Sequence, residues 1–572
     1  MFWNIKITLL IIALLSLSSI TAQDKLLTQT SEVHNLMVQY DADKGSLTRF
    51  YFISNSPERC KRMQEFNKDY LDKLSALLFE NMSTGGKVDY ILFKRNLENE
   101  LRLLDKEETE YNQVSKFFPF AEKIYTLEKQ RRRGTSIKGE QVAKQFNELS
   151  KNITALSGSL KNEPSMPLPL ATRAQNIAKG LQTALKSVYD FYNGYDPQFT
   201  WWVPMPYKNA DSLLGLYAAQ LNNKADASAL PKDDGSGIIG NPIGREELIR
   251  QLQYEMIPYS PEEIIEIANK EFTWCDKEML KASKEMGFGD NWKAALEKVK
   301  NSYVPEGKQP EMILGLYNQS VDFIKKHNMV TIPPIAEETW RMSMMSPKQQ
   351  LVSPFFLGGE LLQISYPTNT MDEEAKRMSM RGNNPHFSRA TVHHELIAGH
   401  HLQGFMNDRY KAYRNFWTPF WTEGWALYWE FILWDEGFPR NAEDRVGMLF
   451  WRMHRCARII FSLSYHLNKW TPQQCIDFLV DRVGHERANA EGEVRRSFTG
   501  GYGPLYQIAY MLGGQQFYAL KKELVDTKKM SYMQFHDAVL KENNMPVEMV
   551  RAILMNQPPK KDFKTEWRFY GK

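Results

Sequence analysis

Cysteine is scarce in this chain: four in 572 residues, at Cys60, Cys275, Cys456 and Cys475, with no metal-like pairing. A cysteine-held metal is therefore excluded on spacing. Buried free thiols are the expected state, and Cys456 with Cys475 is the pair that could bridge neighbouring helices. An excess of one charge sign is also missing. Lys and Arg number 72 against 68 Asp and Glu, a formal charge of +4, which argues for no nucleic-acid partner. After the N-terminus no apolar run reaches the approximately 20 residues that span a bilayer. Alternating strand-like patterns are nearly missing as well, which with recurrent helix starts argues for a mainly α fold.

What is present belongs to an ordinary globular protein, 42% hydrophobic and 24% charged, and long enough for several domain-sized units or one two-lobed helical body. Lys6, a short apolar core from Ile7 to Leu17, then Ser-Ser-Ile-Thr-Ala22 read as a secretory signal over residues 1–22. The mature chain is expected to be exported, periplasmic or extracellular, with no membrane association after signal removal. No cysteine follows the apolar core, so a lipid-anchored form is not expected. Residues 23–165 carry amphipathic helical periodicity and form an N-terminal helical region. Helical periodicity resumes over about 172–225, interrupted by Phe199-Thr-Trp-Trp-Val-Pro-Met-Pro-Tyr207, whose prolines and aromatics predict an ordered loop. Ser260-Pro-Glu-Glu263 and Thr471-Pro-Gln-Gln474 read as capping boxes with proline at the first helical position.

The chemistry is concentrated in Thr391-Val-His-His-Glu-Leu-Ile-Ala-Gly-His-His-Leu-Gln403. Four of the chain's eleven histidines fall within nine residues there. A zinc hydrolase needs neutral imidazoles and often a carboxylate on the metal, plus a free carboxylate to take a proton from water. His394-Glu395 begins like H-E-x-x-H, but the residue four after His394 is Ala398. A kink at Ala398-Gly399 would return His400 to the ligand position. A regular helix would instead pair His394 with His401 across about two turns, roughly 10 Å of rise. The kink is favoured because Glu395 must stay close to the water. His394 and His400 are then the histidine ligands, His401 lies just outside them, and His393 is a core histidine.

Thr418-Pro419 starts and Gly437-Phe438-Pro439 stops a helix of about eighteen residues that carries Glu423, the third ligand candidate. Glu430, seven residues on, shares its face and is placed to orient a ligand. The aromatics from Phe416 to Trp434 read as core around these helices. Gly358-Gly-Glu-Leu-Leu-Gln-Ile-Ser-Tyr-Pro-Thr368 reads as a short strand before the histidine helix, either an edge that holds substrate by strand addition or a structural hairpin.

His-Glu-Leu-Ile-Ala-Gly-His-His-Leu-Gln and Glu423-Gly-Trp-Ala-Leu-Tyr-Trp-Glu430 resemble the two signature boxes of the bacterial family catalogued as domain of unknown function 885. Its usual first box is H-E-x-x-P-G-H-H-x-Q; here Ala398 replaces the proline. Glu493-Val-Arg-Arg-Ser-Phe and the Gly503 to Gly513 stretch are similar, more loosely, to two C-terminal boxes. The resemblance implies a large two-lobed helical zincin-like metallopeptidase fold of the glutamate-zincin kind over residues 166–572, with a small β element beside the active site.

The expected function is an exported zinc-dependent hydrolase, one Zn2+ per chain on His394, His400 and Glu423. Glu395 is the general base and a peptide is the substrate. Tyr510 is the oxyanion donor, with Tyr502 or Tyr506 as replacements. Arg496 either anchors a substrate carboxylate or pairs with Glu493. Two alternatives compete: an exported binding protein with a structural or vestigial zinc, and a zinc hydrolase of a non-peptide amide or ester. Oligomeric state is left open.

Overall fold

The computed structural model describes residues 30–571 apart from 227, 229–231, 351, 352 and 354. The expected signal over residues 1–22 lies outside the described residues. Among the described residues the architecture is mainly α and divides into two compact units, one within residues 33–79 and 92–231, the other within residues 30–32, 80–91 and 232–571. The main seam in sequence thus falls at 231, where the sequence pattern placed a division at 165. Residues 166–231 belong with the preceding helices because they supply that unit's central helix.

That helix is Leu168–Tyr192, whose Ala171, Ala174, Ala178, Leu181, Leu185 and Val188 are buried at three- and four-residue spacing. Its alanines let Pro204–Asn222 and Ala121–Arg132 pack closely onto it. The expected loop over 199–207 is instead the end of one helix, Pro197–Trp202, and the start of another at Pro204. Both prolines occupy the first helical turn, where a missing N–H costs nothing.

The larger unit holds the candidate site. Helix α1 (Pro261–Glu285) opens with the expected capping box, Ser260 with Glu263. Strands β1 (Arg341–Met344) and β2 (Leu361–Ile364) pair in parallel, and Gln363 of β2 also bridges antiparallel to Leu357 across the turn before it, so the expected strand takes part in both a crossover pair and a minimal hairpin. Then come α2 (Pro385–Glu395), α3 (His400–Asn407), α4 (Pro419–Asp435), α5 (Ala442–His466), α6 (Arg487–Thr499) and α7 (Tyr506–Lys521). Helix α4 starts where its cap predicts, with the Thr418 side chain accepting from the Phe420 N–H at 3.2 Å. It is buried nearly all round, with Trp421, Trp425, Tyr428 and Trp429 fully enclosed, so it forms the centre of the unit. Of the aromatic run, Trp417 points outward.

Helix α4 crosses α7 at a glycine pair. A Cβ on Gly424 would lie 2.5 Å from Gly513 Cα, and one on Gly513 would lie 2.1 Å from the Phe420 carbonyl oxygen. This crossing fixes Glu423 against the tyrosines of α7. The four cysteines are buried and free. Among the described residues no helix is long and apolar enough to cross a membrane.

Candidate metal centre

The histidine helix does break. Helix α2 ends at Glu395 and α3 begins at His400, with 396–399 between them in a non-helical turn that contains a cis Ile397–Ala398 peptide. Gly399 makes the turn possible. Its N–H donates to the His393 carbonyl at 2.8 Å, and a Cβ there would fall 1.8 Å from the His394 carbonyl oxygen. Trp425 of α4 locks the turn from the other side, its indole N–H donating to the Ala398 carbonyl at 2.8 Å.

The break brings the two imidazoles together, centroids 4.9 Å apart and nearly perpendicular. Between them sits the Glu423 carboxylate: Oε2 is 3.5 Å from His394 Nε2 and 3.2 Å from His400 Nε2. One donor atom from each of the three residues lies within 4.8 Å of the others. Zinc–nitrogen and zinc–oxygen bonds of about 2.0–2.1 Å at tetrahedral angles put neighbouring ligand atoms roughly 3.3 Å apart. Glu423 Oε2 is buried, makes no hydrogen bond of good geometry and has the two imidazoles as its nearest polar neighbours, so a protonated imidazole or a metal cation must balance its charge. The residues fit a zinc ion.

The carboxylate and the two imidazoles are coupled electrostatically. Burial would push the Glu423 carboxyl up, but His400 and His394 outweigh it and hold it well below the usual range. Burial pulls His400 down, yet the facing Glu423 lifts it to about 9. The other Glu423 oxygen, Oε1, accepts the Tyr506 hydroxyl in a short hydrogen bond. Glu430 Oε1 lies 2.8 Å from His394 Nδ1, so the ring presents Nε2 to Glu423. Arg455 in turn donates to Glu430 at 3.1 Å. Burial raises the Glu430 carboxyl, and Arg455 and His394 bring it below its ordinary value.

His401 does not join this arrangement. One residue beyond His400, it is turned about 100° round the helix, and its Nε2 bonds the Ala336 carbonyl at 2.5 Å. The pairing of His394 with His401 and the placement of His401 beside the ligands are both corrected by this geometry. His393 is core: it is fully buried, its ring meets Phe438 edge-on at 5.7 Å, and burial pulls it down to about 3.

The three ligand candidates open into a cavity of about 270 Å³ that Glu395, Arg496, Tyr502, Tyr506 and Tyr510 also line. Tyr510 lies parallel to the His394 ring at 6.1 Å. Burial and Glu423 raise its phenol, so the hydroxyl keeps its proton. Strand β2 does not line the cavity. Its neighbour Phe355 to Gly358 does, because Leu357 bridges antiparallel to Gln363 and the Gly359 N–H donates to the Glu395 carbonyl at 3.1 Å.

Arg455 and Arg458 of α5 also line the cavity and escaped the sequence reading. Their signal was available, since Arg452, Arg455 and Arg458 recur every third residue in the largely apolar stretch from Val446 to Phe461. Glu493 accepts from Arg458 at 2.7 and 3.0 Å and from Gln507 at 2.9 Å. Burial would raise Glu493, but Arg458 and Arg496 hold it at about 2. Arg496 donates to the Tyr502 hydroxyl at 3.0 Å.

Fold and site together define a helical protein with a buried two-histidine, one-glutamate cluster and a free glutamate beside it. The chain belongs to the family described as bacterial protein of unknown function (DUF885), whose model matches residues 52–554. Two solved structures share the fold. One is described as a "putative lipoprotein of unknown function" from Shewanella oneidensis, with TM-score 0.66 and 16% identity, covering 92% of this chain and 100% of that one. The other is a "putative lipoprotein" from Colwellia psychrerythraea, with TM-score 0.56 and 15% identity, covering 92% and 98%. No curated protein matches the chain.

Proposed function

We propose that this protein is an exported zinc-dependent peptidase. The observation that carries the reading is the convergence of His394 Nε2, His400 Nε2 and an unpartnered Glu423 oxygen on one point, with Glu395 lining the same cavity. A purely structural zinc is usually closed by four protein ligands, and here three protein donors leave a position open. Export is supported by the leader-like N-terminus and by fold relatives described as lipoproteins.

Zinc in this site would supply a Lewis acid that brings the pKa of water toward neutrality. Glu395 would accept a proton from water attacking the peptide carbonyl and would later pass it to the leaving amine. Tyr510 donates a hydrogen bond to the developing oxyanion, while Tyr506 is engaged with Glu423 and Tyr502 with Arg496. Glu430, 2.8 Å from His394 Nδ1, is placed to orient the ring. The buried surround of α4 and α5 keeps the cavity's dielectric low, which strengthens each of these interactions.

The test is E395Q. It should keep its zinc and lose peptide cleavage by about 100-fold or more. Loss of metal in that variant would show that Glu395 is a ligand and not a base. Cleavage of small amides or esters, with every member of a peptide library left intact, would move the protein to the non-peptide class.

A further inference from the structure

Three guanidiniums line the cavity, and all are buried: Arg455 is 3% exposed, Arg458 2% and Arg496 6%. A buried guanidinium needs a counter-charge. Arg458 has one, the two-point pair with Glu493. Arg455 has one in Glu430. Arg496 is left over. Its nearest carboxylate oxygen, Glu493 Oε2, is 3.9 Å from Nη1, beyond hydrogen-bond reach, and that carboxylate is already held by Arg458 and Gln507. Arg496 Nε is buried with no hydrogen-bond partner, and Nη2 meets a neutral phenol, Tyr502. Arg458 and Arg496 thus share one carboxylate, and the one guanidinium of the three with no direct carboxylate hydrogen bond sits on the wall built from α6.

Resting on the peptidase reading, we propose that Arg496, assisted by Tyr502, binds a carboxylate of the peptide substrate. The carboxylate has two possible sources, the free C-terminus of the peptide or an Asp or Glu side chain beside the scissile bond. In either case one anion gives Arg496 the direct carboxylate hydrogen bond it lacks, which a neutral peptide cannot supply. A C-terminal source makes the protein an exopeptidase that removes short C-terminal units. A side-chain source makes it selective for acidic sequences.

The proposal is tested by calorimetric binding to the zinc-loaded full chain carrying E395Q, which holds substrates without cutting them. Three versions of one short neutral peptide are compared: free C-terminal acid, C-terminal amide, and amide with Glu near the scissile bond. A charge-assisted hydrogen bond pair predicts about 10- to 100-fold weaker binding of the neutral amide. The Glu-containing amide identifies the source by recovering that loss or failing to. Adding R496Q should abolish the preference, and R496K should keep part of it; the peptide comparison in unchanged Arg496 protein does not depend on how those variants fold. Equal binding of all three peptides, or an undiminished preference in folded R496Q, overturns the proposal. If wild type still cleaves peptides in that case, the peptidase reading stands alone. A protein that binds zinc but none of the peptides overturns both.

Discussion

Gly399→Ala is the substitution whose effect the geometry fixes most tightly. An added Cβ would lie 1.8 Å from the His394 carbonyl oxygen, 2.4 Å from its carbonyl carbon and 2.5 Å from the His393 carbonyl oxygen. Ordinary contact begins near 3.4 Å, so the backbone must open by about 1.6 Å. All three neighbours are main-chain atoms, and no rotamer change relieves them. His394 lies on one side of the turn and His400 on the other, so the strain is released by separating the two ligands. Metal sites tolerate displacements of about 0.2 Å. We expect G399A to lose about 1–3 kcal/mol of stability from overpacking and at least about 100-fold in zinc affinity. Competition with a chromophoric chelator reads the affinity, and a thermal melt reads the stability. Gly404→Ala is the control: it lies in α3 with no atom within 4 Å of its added Cβ, and should gain up to about 1 kcal/mol from helix propensity. If G399A binds zinc as tightly as wild type and melts at the same temperature, the account of the helix break is wrong.

Other outcomes follow from the same site. Glu430→Ala frees the His394 ring from its 2.8 Å partner and should weaken zinc binding about 10- to 100-fold without abolishing it; unchanged affinity would show that His394 is held by packing alone. Stability should depend on acid pH through Glu493, which faces Arg458, Arg496, Gln507 and the histidine pair His454 and His485. Its folded pKa of about 2 against an ordinary 4.5 means a contribution present above pH 4.5 and lost as pH falls toward 2. The stability difference between wild type and E493Q, measured by urea unfolding, should therefore shrink across that window, and a constant difference would refute the assignment. His485, pulled down to about 3 by burial against a partial lift from Glu493, acts in the same direction from about pH 6.5 downward, and more strongly in E493Q, which lacks that lift.

Local rules carried much of the site in the sequence. Thr418-Pro419 and Ser260-Pro-Glu-Glu263 start helices through their own side chains, so a window of four residues contains the cause. The turn before His400 was legible because glycine admits a close backbone approach that the H-E-x-x-H spacing required. What escaped depends on contacts between distant segments. Phe355 to Gly358 reaches the cavity through the Gln363 bridge, the Glu395 carbonyl and the packing of the Phe355 ring on Trp451. Arg455 and Arg458 look like interruptions of an apolar helix until Glu430 and Glu493 are seen beside them. His401 differs from His400 by one helical step, and the Ala336 carbonyl that claims it lies 65 residues away. The seam at 231 follows from which helices pack on Leu168–Tyr192, a long-range property that composition does not carry.

The most direct test of the central claim is the metal content of the purified mature protein, wild type beside H400A and H401A. About one zinc per chain, lost in H400A and retained in H401A, is the predicted result. A wild type that takes up no divalent metal after incubation with zinc, or a chain that loses it only in H401A, contradicts the account.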